Sequence, residues 1–427
     1  MHVVKKFSVA AGALLCSFAL TLGSAPLPAG ASIAQSQVVS ENPADFTPNI
    51  VLGSGGQTVY SFAQIGSTMY AGGRFTQVQN AARTITYARQ NFVAFDVNNG
   101  AVKSVPLSFD GDVHALVVSS DQKFLYIGGA FKTVNGVAHK SVIKVNVATN
   151  QIDPTFNPPT ANGAVTDMEL VNGRLIIGGT FTKSLLALNL TTGADTGYIH
   201  TVISGVQNTG DVTKVLHFAV DPNGTRLVAV GNWATVDGQV RKWAFELTLG
   251  STTAALNTWH AARLDVACNS NSPLNVAQNV DFSPDGSYFV IVTTGGPSGT
   301  AGLCDAAGSY RSSNISGTAD ATWVNFTGGD SLYAVAVTGV AVYVGGHQRW
   351  LDNPLGHDSE GPGAVARPGI GAIDPNTGKA NAWNPTKTRN HGVTKFLVTT
   401  AGLWTGSDGE LFHNEYHAGI AFTPLPK

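Results

Sequence analysis

One short element recurs along this 427-residue chain and decides which folds are open to it: an apolar run that ends on glycine. It stands at Gly72 in MYAGGRF, Gly128 in LYIGGAF, Gly178 in LIIGGTF, Gly231 in VAVGNW, Gly295 in IVTTGG, Gly345 in VYVGGH and Gly406 in LWTGSD, at intervals averaging about 56 residues. A period of this length means that one small unit is repeated and that each unit buries its apolar face only against its neighbours. Before each glycine come an alternating segment and a tight turn, as in VTDMELVNGR or VDFSPDGSY. After it come a variable loop, a second alternating segment such as SVIKVNVATN, and a short piece that often ends on an aromatic residue: Phe156, Trp259, Trp323, Trp383. Alternation of period two, with Asn, Asp and Gly where the chain must reverse, reads as four short strands joined by hairpins. Four-stranded units repeated seven times describe an all-β fold, a seven-bladed β-propeller. Glycine inside a strand costs about 0.5–1 kcal/mol relative to alanine, so its recurrence predicts a bulge or a close backbone approach at the strand end.

The ends of the chain carry a second prediction. The seventh copy stops after its third strand, HAGIAFTPLPK, which leaves an edge exposed to aggregation. The missing piece is found near the start, where Asp45, Phe46, Thr47 and Pro48 in PADFTPNIV resemble IDPTFNPPT. The N-terminal strand is therefore expected to pair in the last blade, beside Ile420, and close the ring.

The second copy, YIGGAFKTVNGVAHKSVIKVNVATNQIDPTFNP, is similar to the repeat of secreted bacterial β-propellers known as the delta-sixty repeat, and the likeness extends more weakly over the rest of the chain past the leader. The resemblance implies a propeller fold and an exported location. It implies no enzymatic activity, and no catalytic residue carries over from it.

The leader itself reads as a secretory signal over residues 1–31: a basic MHVVKK, an apolar FSVAAGALLCSFALTLG, and a small-x-small site at Ala29, Gly30 and Ala31. One domain, residues 32–427, is expected to follow. Cys16 leaves with the signal, and the remaining Cys268 and Cys304, in an oxidising compartment, are expected to form one disulfide. Only 12% of residues are charged and the net charge is -2, which gives no electrostatic reason to expect nucleic acid or an anionic membrane as partner. No segment beyond the leader is apolar enough over a sufficient length to span a bilayer. The expectation is a secreted monomer whose partner is an extracellular protein or glycan.

Function is expected where loops are long on a rigid scaffold. The connections from second to third strand (residues 74–89, 297–319, 347–367 and 407–416) lie on the face that also carries the links between blades, whereas the turns opposite are minimal. On the long-loop face the sixth copy departs from the others. YVGGHQRWLDN places Gln348 where Phe75, Phe131 and Phe181 look like aromatic plugs, and moves its aromatic to Trp350, either an exposed platform or a displaced plug. The candidate binding residues are His347, Gln348, Arg349, Trp350, Asp352, His357 and Asp358 of the sixth copy and Asp408, Glu410 and His413 of the seventh. His391, Glu360 and Glu415 are near them in sequence. The favoured function is recognition or scaffolding through this face. The alternative is a polysaccharide hydrolase or lyase with a carboxylate pair about 5–10 Å apart. No zinc spacing is present, and no metal is assigned; calcium at turns such as Phe109 to Asp112 is an open option, with Asx turns as the simpler reading. A basic residue ahead of the third strand (Arg89, His139 with Lys140, Arg241 with Lys242, Arg367, His417) is expected to bond a neighbouring blade's carbonyls.

Overall fold

The computed structural model describes residues 1–2, 33–160, 162–268 and 277–427. The expected export signal, apart from its first two residues, lies outside them. Strands dominate, and the one helix among the described residues is the short turn Ala262–Asp265.

Among the described residues seven principal antiparallel sheets follow one another, opening on the strands Thr58–Ile65, Val113–Val118, Val165–Val171, Lys214–Val220, Ala277–Phe282, Leu332–Val337 and Val393–Thr399, with smaller sheets in the loops. Each opening strand packs against that of the next sheet, and Val393–Thr399 packs against Thr58–Ile65. The polar contacts repeat in the same way: Thr166 Oγ1 donates to the Val215 carbonyl at 2.6 Å, and Thr394 Oγ1 to the Val59 carbonyl at 2.6 Å. Between the sheets lie apolar layers, such as Tyr70 and Phe92 of the first against Leu116 and Ile127 of the second. Each such large side chain contributes about 1.5–3 kcal/mol of burial.

The expectation of four strands in every unit needs correction. The first, second, fourth and fifth sheets have four strands, the third, sixth and seventh three. In the third and sixth the fourth segment meets the sheet at one bridge, Leu188 with Asp195 and Ile373 with Ala380; in the third, Gly197, left-handed at φ 67°, turns the chain away two residues later. In the seventh, the N-terminal segment lies alongside: Ser40 N donates to the Pro424 carbonyl and Ala44 N to the Phe422 carbonyl, both at 2.8 Å. The Phe46 ring is 6.0 Å from Phe422 and 6.3 Å from Trp404. A bend at Glu41 and Asn42 separates the two hydrogen bonds, so no regular strand forms there.

The recurrent glycine has a local cause. Every pairing of first and second strands is irregular at the same place, between Val59 and Ser61 in the first sheet and between Val113 and Ala115 in the second. The bulge brings the chain so close that a Cβ on Gly73 would overlap the Thr58 carbonyl oxygen, and one on Gly346 that of Ser331. Register makes Gly73, Gly129, Gly179, Gly231, Thr293, Gly346 and Ser407 equivalent. The glycines at 72, 128, 178, 345 and 406 stand one residue before this position, where a Cβ would press on the next sheet, on Val113 at Gly72 and on Val393 at Gly345; Gly231 is at the bulge itself, and in the fifth copy Thr293 is, with Gly295 two residues beyond it.

Five second-to-third connections fold into small hairpins, among them Thr133–Val134 with Val137–Ala138, Thr235–Val236 with Gln239–Val240, and Leu411–Phe412 with Glu415–Tyr416. Each of these three meets the link that enters its own sheet: Phe109 bridges Val134, Ile203–Ser204 pairs with the Val236 hairpin, and Lys387 bridges Phe412. Hairpins and links thus form one face.

Candidate recognition site on the long-loop face

Two residues past the bulge glycine, each connection drops one side chain into a slot beneath its loop. Phe75, Phe131, Phe181 and Trp233 fill the first four slots and are buried. The Phe131 ring stands 4.9 Å from that of Phe109 on the incoming link, edge to face, and Trp233 stands 5.1 Å from Phe245, the offset geometry that aromatic quadrupoles favour. The fifth slot belongs to Gly295. A Cβ there would lie 2.7 Å from Cys268 Sγ and 3.0 Å from Cys304 Cβ, so the disulfide between these cysteines takes the place of the ring. The pairing matches the expectation; its role as a plug does not follow from sequence.

The sixth slot holds Gln348. Its side chain is fully buried, and neither Oε1 nor Nε2 has a hydrogen-bond partner. An amide in that state costs about 1–3 kcal/mol. In the seventh copy the plug residue is Gly409, and the Nζ of Lys387 fills the vacated space. Lys387 stands where Phe109 stands in the second sheet, since each bridges the hairpin behind it. Its ammonium bonds the Thr388 carbonyl at 3.3 Å. Burial pushes its pKa down to about 8, against the opposing pull of Asp408.

Around these slots the candidate residues separate into groups. Arg349 grips Asp330 through Nε at 2.8 Å and Nη2 at 3.1 Å, and Arg389 reaches the same carboxylate at 3.2 Å. Asp330 is therefore a nearly buried carboxylate held between two guanidiniums, and removing one partner would leave a buried charge uncompensated. His347 lies beside it, its Nδ1 3.3 Å from the Tyr333 hydroxyl and its Nε2 3.4 Å from Ser331 N. Burial holds the imidazole pKa below its usual value, partly offset by Asp330. Tyr333 in turn stacks on His391 at 4.4 Å. Trp350 is not a displaced plug. Half-buried in the hairpin, opposite Ala366, it carries the Arg349 guanidinium 4.5 Å above its ring, while Leu351 points inward.

The remaining candidates are spent on loop geometry or stand apart. Asp352 accepts from Asn325 Nδ2 at 2.6 Å and from Ala380 N at 3.1 Å; Asp408 accepts from His391 N at 2.9 Å and Gly392 N at 2.8 Å. Asp358 is exposed, 3.6 Å from Arg349, and His357 and Glu410 are exposed. His413 sits in a hairpin turn at φ 51°, its N–H on the Thr386 carbonyl. Asp408 and Glu410 do border a hollow of about 330 Å³ together with Leu52, Gln57 and Asn390. Sequence reasoning singled out His347, Arg349 and Asp358 but missed Tyr333, Asp330 and Arg389, which complete their cluster. No local motif marks these three; they meet because adjacent sheets bring together residues far apart in the chain.

Two further expectations change. Of the basic residues ahead of the third strand, Lys242 reaches a neighbour's carbonyl as expected, that of Asp265 on the link into the fifth sheet, but the three arginines bond their own sheet: Arg89 reaches the Lys103 carbonyl, Arg241 that of Thr258 and Arg367 that of Asn381, each also bonding the carbonyl just before it. Each clamps the outgoing end of the unit it belongs to. At the turn considered for calcium, Asp110 accepts from the Lys132 and Thr133 amides, and Asp112 pairs with Arg74. Among the described residues no group of three or more His, Cys, Asp or Glu side chains is gathered as metal ligands are.

One surface property is specific to this face. The fifth connection, expected over 297–319, ends where the third strand Ala306–Arg311 begins, so Ile315 lies beyond it; apart from Met1 and Ile315, every exposed large apolar side chain among the described residues lies on this face: Ile85, Val137, Val240, Leu355 and Leu411 in the connections, and Val202, Val212 and Val266 in the links.

No family model and no curated protein sequence matches the chain. Among solved structures it is similar to the WD40 β-propeller domain of Doa1, with a TM-score of 0.50 and 10% identity over 90% of this chain and 98% of that one. It is also similar to U3-55K, with a TM-score of 0.53 and 11% identity over 90% of this chain and 100% of that one. At such low identity the likeness establishes a β-propeller fold and nothing about activity.

Proposed function

We propose that this chain is a secreted seven-bladed propeller, closed by its N-terminal segment, that recognises an extracellular protein through the long-loop face. The one observation that carries the recognition reading is the gathering of eight exposed aliphatic side chains on that face. Exposed apolar residues scattered singly need no explanation, but their confinement to one side of a molecule marks an interaction surface. Valine, leucine and isoleucine, rather than flat aromatic rings, suit a protein partner better than a glycan on this rim. Closure is supported by the hydrogen bonds from Ser40 and Ala44 to the last strand and by the contact between the first and seventh opening strands. Export, with a single domain from residue 32 onward, is supported by the basic and apolar leader and by the disulfide between Cys268 and Cys304.

The test is photo-crosslinking in the extracellular fluid of the source cells, with the reactive residue placed in turn at Val240 and Leu355 on the long-loop face and at Gln122 and Asn376 in the turns opposite. A discrete product from the first pair alone is expected. Equal products from both pairs, or none from the first, would contradict the reading.

A further inference from the structure

The cleft between the fourth and fifth sheets departs from its counterparts in a way that costs the backbone and adds aromatic surface. Just before the third strand, six units place a residue with left-handed φ whose carbonyl accepts from the amide of the bulge position: Asn91, Ser141, Ser184, Trp243, Gly369 and Gly419. Five of the six are the small or glycine residues that this conformation favours. Trp243, at φ 66°, is the exception, and a bulky residue there is strained. Asn91 and Ser141 also use the position to tie their sheet to the next one, Asn91 Nδ2 bonding the Phe109 and Gly111 carbonyls and Ser141 Oγ that of Gly163. An indole has one N–H and cannot make both of the bonds that Asn91 makes. The disulfide between Cys268 and Cys304 supplies the tie instead, because Cys268 lies on the link into the fifth sheet.

What the exchange leaves is a hollow of about 190 Å³, bordered by the half-buried Trp243 indole, Arg263, Asp265, Gln207 and the disulfide. Its volume matches one sugar ring. Its fixed charges sum to zero, Arg263 and Lys242 against Asp320 and Asp265: Arg263 holds Asp320 at 2.8 Å, and Lys242 Nζ bonds the Asp265 carbonyl at 3.1 Å. With no charge left over, the cleft favours a neutral ligand, and its flat apolar wall beside polar groups favours one with an apolar face and hydroxyls at its edge. A pyranose has that shape.

We propose that this cleft is a saccharide site in which the face of one sugar ring stacks on Trp243. It shares only Val266 with the aliphatic rim and stands whether or not a protein partner binds there.

The test is calorimetric titration of the full mature chain with glucose, galactose, N-acetylglucosamine, cellobiose and chitobiose. Saturable binding of at least one of them is expected. Trp243→Asn, which restores the residue found at position 91, is expected to weaken it at least about tenfold, whereas Trp243→Phe, which keeps a flat ring, holds it within about tenfold. Trp350→Ala, in another unit, leaves it unchanged. Circular dichroism verifies that each variant is folded. Failure of all five sugars to bind, or equal binding by wild type and the Asn variant, overturns the proposal, and so does equal loss in the Asn and Phe variants.

Discussion

The second and seventh units share a backbone plan and fill it with opposite chemistry. In the second, Phe109 on the link and Phe131 under the loop stack edge to face, and the link bridges the hairpin at Val134. In the seventh, Lys387 and Gly409 take those two places, yet the link still bridges the hairpin, now at Phe412. The geometry of the loop face therefore does not require aromatic plugs. It requires that each slot be filled, and a ring, a disulfide, an amide and an alkylammonium each do so at different energetic cost. The costly fillings are concentrated in the sixth and seventh units, where the Asp330, Arg349 and Arg389 cluster also lies.

Substitutions at these slots sharpen the contrast. Phe131→Ala is expected to have the largest effect, a loss of about 3–5 kcal/mol in denaturant unfolding, because it opens a cavity in a slot with no other filler. Lys387→Met is expected to act in the other direction, stabilising the chain by about 2 kcal/mol at pH 7 by replacing a buried ammonium with an apolar chain of similar length. The sign with pH follows from the depressed pKa. The folded state binds the Lys387 proton more weakly than the unfolded state, whose value is 10.5, so this contribution is complete above pH 10.5 and lost as the pH falls through about 8. The melting temperature of the wild type should thus carry an alkaline rise over that window that Lys387→Met lacks; an identical pH profile for both would place the ammonium in water. The smallest expected effect is that of Gln348→Leu, a gain of about 1 kcal/mol from removing an amide without partners. A loss of similar size would mean that the Gln348 amide is satisfied in solution.

Much of the fold was legible in the sequence because a repeat announces itself seven times over, and strand, turn and glycine signals agree within each copy. The miscount of strands came from extending the four-strand pattern of the clearest copies to every unit; in the third, the fourth segment keeps one bridge at Asp195 before Gly197 turns the chain away. The glycine of the fifth copy misled for a related reason: Thr293 stands at the bulge with its hydroxyl bonded to Ala306, so the nearest glycine in sequence was two residues late. At the candidate site, the exchange of phenylalanine for Gln348 could be read directly, since aligned copies reveal a changed residue. The lysine in the seventh slot could not, because it enters from the link and not from the loop. Nor could the partners of Arg349: Asp330 precedes it by 19 residues and Arg389 lies 59 beyond that aspartate, and only the packing of adjacent sheets joins them.

A single recognition face depends on the ring being closed by the start of the chain. Amide hydrogen exchange at Ser40 and Ala44, read by NMR, tests this most directly. If the N-terminal segment completes the last unit, both amides exchange as slowly as those of the strand Gly402–Ser407 and are released only with global unfolding. Exchange at both sites as fast as in a free peptide, with that strand still protected, would contradict closure and remove the basis for one working face.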